Sequence, residues 1–292
     1  MFEIISWVIN KITGVTSGMF SYMTNQVDDT GEPIPFYKTY TFYGVIGTII
    51  LVLVVWLVNN RERFYYTPSK NMESEIIDYA YSRYTNLFFD NDRLHGLYSQ
   101  VSNKLVIFSH SFRGNLFNHI TVLDRLKEYG FSGLVWDYSG YGFSHGTPSE
   151  EQLKKDILLV IKQMSLMYGL NNIVLMGDGL GAHLSLWASI KLQMPKVVLL
   201  SPFTNMRDVV LDKLPSVLFW LSVWVTEYNT DELMRVYNNM NHKTLVLWSK
   251  QSQQTHLAVK MAKLSTYNHE IEYYNGEPII EFDVIRKFIL NA

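Results

Sequence analysis

The apolar and polar positions change their pattern three times along the chain. Near the start, Ile5, Val8, Ile9, Ile12 and Val15 recur at helical spacing, the pattern of an amphipathic helix lying on a membrane or on a partner. The segment "VDDTGEPIPFYK" follows as an acidic loop that Pro33 and Pro35 keep extended. "YTFYGVIGTIILVLVVWLV", residues 40–58, then carries no charge at all. As a helix it would be about 28 Å long, close to the hydrocarbon thickness of a bilayer. Tyr37, Tyr40, Tyr43 and Trp56 stand near its ends, where amphipathic rings favour the interface. The pattern predicts an amphipathic helix and loop over 1–36, a single transmembrane helix over 37–60, and one folded domain over 61–292.

Within that domain the period alternates. "EIIDYAYS" and "RLHGLYSQ" read as antiparallel strands on either side of the Asp90–Asp92 turn. "KLVIFSH", "SGLVWDY", "NNIVLMG", "KVVLLSP" and "KTLVLWS" are short continuous apolar runs separated by helical patterns. Strands buried on both faces of a parallel sheet have this composition, and their alternation with helices predicts a three-layer α/β fold with a mostly parallel sheet. "LPSVLFWLSVWV", residues 214–225, reads as a buried core helix in preference to a lipid-facing lid.

Composition narrows the chemistry. The net charge of −2 over 292 residues and the lack of a basic tract argue against nucleic acid as a partner. The chain has no cysteine, so thiolate chemistry, disulfides and cysteine-based metal sites are excluded. The histidines are scattered without metal-ligand spacing, and no cofactor is predicted. "GDGLG" lacks the lysine and spacing of a phosphate loop. Arg61 and Arg63 follow the apolar span while Asp28, Asp29 and Glu32 precede it, which places the large domain on the cytosolic or matrix side.

Four motifs occur in a telling order. "HSFRGN", residues 110–115, follows a strand and leads into a helix. "DYSGYGFSHGTPSE", residues 137–150, follows the next strand, with Ser149 placed to cap a helix. "GDGLG", residues 177–181, stands at a strand-to-helix turn, and "SPFTNM" follows the strand after it. This order resembles the α/β-hydrolase superfamily, most closely its membrane-anchored Bem46-like and ABHD-like group of lipid and acyl-protein hydrolases. Members of that group carry "HGNAGN"-like, "DYRGYGxSxGxPSE"-like and "GxSxGG" motifs in the same sequence. The resemblance covers about residues 93–292 and implies a serine nucleophile at a glycine-flanked elbow, an acid and a histidine.

Position by position, the implied triad is not where the resemblance puts it. Gly177 and Gly181 match the flanking glycines, and the apex between them is Gly179. Asp178 lies one residue early for a nucleophile. The acid position falls on Gln253, or on Gln254 with a one-residue slip, and the histidine position on Pro278 or Glu277. In the oxyanion loop, His110 matches the pattern, but Ser111 and Phe112 replace a small Gly-Asn pair, and the phenylalanine is expected to fill part of the pocket. A new acid–base pair, His110 with Asp137 or His145 with Asp178, has the weaker claim.

The sequence therefore predicts a catalytically inactive hydrolase-like protein, not an enzyme. Its expected role is that of an accessory or structural subunit of a membrane complex, in contact with the lipid bilayer and with other subunits. A single-pass protein of the mitochondrial inner membrane, in a respiratory or ATP-synthase assembly, fits that expectation. The alternatives are a membrane-anchored lipid or acyl-protein hydrolase with a rearranged site, and a pocket that binds lipid without turnover.

Overall fold

A computed structural model of the chain describes residues 27, 29–32, 40–60, 65–211, 225, 228–249, 255–274, 277–279 and 282–291. The chain divides into two compact units, Met1–Arg61 and Glu62–Ala292. The expected amphipathic helix at the start of the chain, Gln253, Gln254 and residues 214–224 lie outside the described residues.

In the first unit the uncharged run forms one helix, α1 (Tyr40–Asn59). Its described apolar side chains point outward, with Ile50, Leu51 and Val52 at least half exposed. Among the described residues no helix is long and apolar enough to cross a membrane.

Among the described residues, the second unit is built on one eight-stranded sheet and eight α-helices. In chain order the first are α2 (Ser74–Arg83), β1 (Thr85–Phe89), β2 (Leu94–Ser99), β3 (Leu105–Ser109), α3 (Ile120–Glu128), β4 (Ser132–Trp136) and α4 (Glu150–Tyr168). Then come β5 (Ile173–Asp178), α5 (Leu180–Lys191), β6 (Lys196–Leu200), α6 (Met206–Leu211), α7 (Thr230–Asn239), β7 (Lys243–Trp248), α8 (Thr255–Ala262), β8 (Tyr267–Glu270) and α9 (Phe282–Leu290). The strands form one sheet in the order β8-β7-β6-β5-β3-β4-β2-β1. The pairs β1–β2 and β2–β4 are antiparallel and every other pair is parallel.

The continuous apolar runs have the predicted cause. On β3, Leu105 and Ile107 enter one core cluster with Leu153 and Ile157 of α4 and Leu184 of α5. Val106 and Phe108 enter the other, with Leu123 and Leu126 of α3 and Ile285 of α9. Successive side chains thus face opposite helical layers, and both faces are dry.

Two expectations about elements are corrected. "EIIDYAYS" is helix α2, not a strand, because Ile77, Ala80 and Tyr84 follow one another at helical steps onto the core. The strand that pairs with β2 is β1, across Asp90, Asn91 and Asp92, all at positive φ, a region that Asn and Asp tolerate. The sequence also predicts the last strand of the sheet over residues 270–276, "EIEYYNG", before the histidine position, but that strand is Tyr267–Glu270. Residues 272–274 pair separately with 277–279 in an antiparallel hairpin that contains Pro278.

Candidate active site

The β3, β5 and β6 strands run parallel through the middle of the sheet, and their carboxyl ends open onto three loops. Loops of this kind, beyond the carboxyl ends of parallel strands, are where α/β folds place their ligands. The β5–α5 turn is the sharpest. A Cβ on Gly177 would fall 2.0 Å from the Gly181 carbonyl oxygen, and one on Gly181 would fall 1.9 Å from that of Ser109. Both positions therefore demand glycine, as the motif predicted. Between them Gly179 adopts φ +51° and ψ −106°, a left-handed backbone that glycine enters without penalty. Its amide donates to the Leu200 carbonyl at 3.0 Å, which pins the apex to the neighbouring strand. Leu180 opens α5, so its amide has no acceptor within the helix.

The β3 loop lies directly beside this turn. In the β3–β5 ladder Ser109 pairs with Gly177. Two residues further along each chain, Ser111 comes level with Gly179. The approach is close: a Cβ built on Gly179 would stand 2.6 Å from the Ser111 hydroxyl oxygen and 3.5 Å from its Cβ. The space of an apex side chain thus holds a serine hydroxyl that comes from the next strand.

The "DYSGYG" loop explains why residues 110–112 hold this position. Tyr138 donates its hydroxyl to the His110 carbonyl, and Tyr141 donates to the Phe112 carbonyl at 2.8 Å. The Thr67 amide also donates to the Phe112 carbonyl, at 3.1 Å. The carbonyl between them, that of Ser111, accepts from His110 Nδ1 at 2.8 Å. Three successive carbonyls are tied down, and the serine stands in the centre. Burial raises both tyrosines above the ordinary phenol range, which keeps them protonated and donating.

The remaining residues sort by distance from this point. The His110 ring lies against Tyr138, with 4.3 Å between centroids, and its Nε2 is 3.4 Å from Asp137 Oδ1. Asp137 Oδ1 also accepts from the Leu116 amide at 2.7 Å, so this pair serves the loop's architecture. Asp178 is half-buried, and loss of hydration pushes its carboxyl up to about 6 despite the opposing influence of His110. The ring of Phe112 packs against Tyr66, Phe203 and Tyr228 at centroid distances of 6.3, 5.7 and 6.2 Å. His183, on α5, stands on the far side of that cluster, 4.9 Å from the Tyr228 ring, with Nδ1 3.0 Å from Thr230 Oγ1. Burial pulls its imidazole down to about 3, with Lys154 adding to the effect, and it stays neutral.

The structure brings Gly179, His110, Ser111 and Phe112 together. Gln253 lies outside the described residues, and Pro278 lies in the hairpin after the sheet. The His145–Asp178 pair, the weaker alternative, has no counterpart among the described contacts. What the sequence missed is that Ser111 is a neighbour of the apex, because the parallel register that joins them is a tertiary property.

A family model of serine aminopeptidases, S33, matches residues 100–291. An uncharacterized membrane protein of Saccharomyces cerevisiae is 28% identical over 182 residues, 58% of this chain and 64% of that protein. Human protein ABHD12B is 28% identical over 145 residues, 47% of this chain and 35% of that protein. The chain thus spans less than two thirds of the length of these relatives. Among solved structures, an α/β hydrolase from Vibrio vulnificus has a TM-score of 0.57 at 18% identity, covering 71% of this chain and 81% of that one. An esterase from Pyrococcus furiosus has a TM-score of 0.55 at 15% identity, covering 77% and 96%. At such identities these two structures show the fold alone. The family match overturns the expectation that the chain is not an enzyme: residues 100–291 match a family of hydrolases. The chain belongs to the serine aminopeptidase S33 family of the α/β-hydrolase superfamily.

Proposed function

We propose that the protein is a hydrolase that cleaves carboxylic esters or thioesters of long acyl chains at a membrane surface. The observation that carries this reading is the retained elbow: Gly177 and Gly181 close the turn, Gly179 keeps its left-handed apex, and the Ser111 hydroxyl stands over it. A sharp strand-to-helix turn raises a reacting group above the sheet, and the free amides at the start of α5 can stabilise an oxyanion beside it. The aromatic cluster of Tyr66, Phe112, Phe203 and Tyr228 beside Ser111 makes the surroundings of the hydroxyl apolar, which favours an acyl group over a charged substrate.

Attachment to a bilayer is the second part of the proposal. It is supported by the uncharged helix α1 with outward apolar side chains, and by the yeast relative's description as a membrane protein. Neither the fold nor the relatives bear on the expected partner subunits or on a mitochondrial inner membrane. The test is nitrophenolate release from p-nitrophenyl esters, acetyl to palmitoyl, by the full chain in phosphatidylcholine vesicles. Release above the buffer rate that increases with acyl length supports the reading; release at the buffer rate for every ester overturns it.

A further inference from the structure

The resemblance puts glycine at position 111 and serine at position 179, and in this chain the two residue types are exchanged. We infer that the exchange is functional, so that Ser111 supplies from the β3 loop the nucleophilic hydroxyl that the β5–α5 elbow no longer carries. The inference rests on the hydrolase reading above.

Geometry carries it. The Ser109–Gly177 pairing sets residues 111 and 179 level on adjacent parallel strands. A Cβ on Gly179 would come within 2.6 Å of the Ser111 oxygen, so a side chain at the elbow would compete with the Ser111 hydroxyl in its present rotamer for the same space. Conversely, a glycine apex is what lets a hydroxyl enter from the side. The clamp on the carbonyls of residues 110–112 gives Ser111 the fixed placement that a nucleophile needs. Ser111 also keeps partial exposure, whereas the neighbouring Ser109 and His110 are buried, so a substrate can reach it.

In the step inferred, the Ser111 oxygen attacks the acyl carbonyl carbon and its proton passes to solvent water, which the partial exposure of Ser111 admits. The carbonyl–alkoxide bond breaks and the alkoxide leaves with a proton from that water. Water then adds to the acyl carbon, its proton passes to the Ser111 oxygen and the acyl–serine bond breaks, so that ester and water become acid and alcohol.

The experiment is site-mapped labelling of the full chain with an alkyl fluorophosphonate, in which the serine oxygen bonds to phosphorus and fluoride departs with the proton. The wild type, S111A and the swap S111G/G179S are compared, with circular dichroism to confirm that each is folded. The inference predicts an adduct on Ser111, a loss of labelling of about 1000-fold or more in S111A, and an adduct at position 179 in the swap. An adduct on another residue, or ester turnover that S111A leaves unchanged, overturns the inference and leaves the hydrolase reading standing. A folded wild type that neither labels nor turns over esters overturns both.

Discussion

Burial of Asp178 makes the stability of the fold depend on pH. Its carboxyl is raised from 3.8 to about 6 by burial, so ionising it in the folded state is costly. Between those two values the folded chain holds more protons than the unfolded one, and stability declines as pH rises through that window. Above about pH 6 the cost is present in full, up to about 3 kcal/mol. Asp178→Asn is therefore expected to raise the urea midpoint at about pH 7.5, with the advantage shrinking below pH 6 and vanishing near pH 4; a constant advantage at all pH values contradicts the assignment. Little of this was legible from sequence. The motif "GDGLG" located the elbow and its obligatory glycines, but the Ser111 hydroxyl was read as a departure from a pattern. Only the register between β3 and β5 turns that departure into a contact.

Among elements, those buried on both faces were the ones that the sequence revealed. The strands β3 to β7 announced themselves as unbroken apolar runs, because each side chain meets one helical layer or the other. The edge strand β8 has only one neighbour, and Tyr267, Asn268 and Glu270 are exposed, so no such run marks it. For α2 the misreading came from β-branched and aromatic residues that favour strands locally, while packing at helical steps won. The cap of α4 was legible because it is local. The Ser149 side chain accepts from the Gln152 amide at 3.2 Å, and Glu150 and Glu151 face the positive end of the helix. Ser149→Ala is expected to cost about 1 kcal/mol, read as a lower urea midpoint. Because Ser149 makes its side-chain hydrogen bond to Gln152 at the start of α4, the same variant should label with fluorophosphonate at the wild-type rate.

At the scale of the whole molecule, buried histidines set the response to acid. Burial pulls His119 and His183 from 6.5 to about 3, and lowers His95 as well. Each folded value lies below the unfolded one, so the unfolded chain takes up more protons between pH 6.5 and about 3, and stability falls as pH falls through that window. Asp178 acts in the opposite sense over a narrower range, and one carboxyl does not offset two imidazoles displaced further. The urea midpoint is thus expected to be lower at about pH 5 than at about pH 7.5, and His183→Gln should flatten the difference by removing one proton acceptor from the unfolded chain. The chain divides into two compact units, Met1–Arg61 and Glu62–Ala292. Membrane attachment through α1 belongs to this scale too: removal of residues 1–60 is expected to abolish flotation with phosphatidylcholine vesicles.

The central claim is that this elbow still does chemistry, through a hydroxyl brought in from the neighbouring strand. The most direct measurement is the rate of p-nitrophenyl palmitate hydrolysis by the purified full chain in vesicles, with folded S111A as its control. The account predicts turnover by the wild type and a rate for S111A that falls to that of the vesicles alone. Equal rates for the two proteins, whether both fast or both absent, would contradict it.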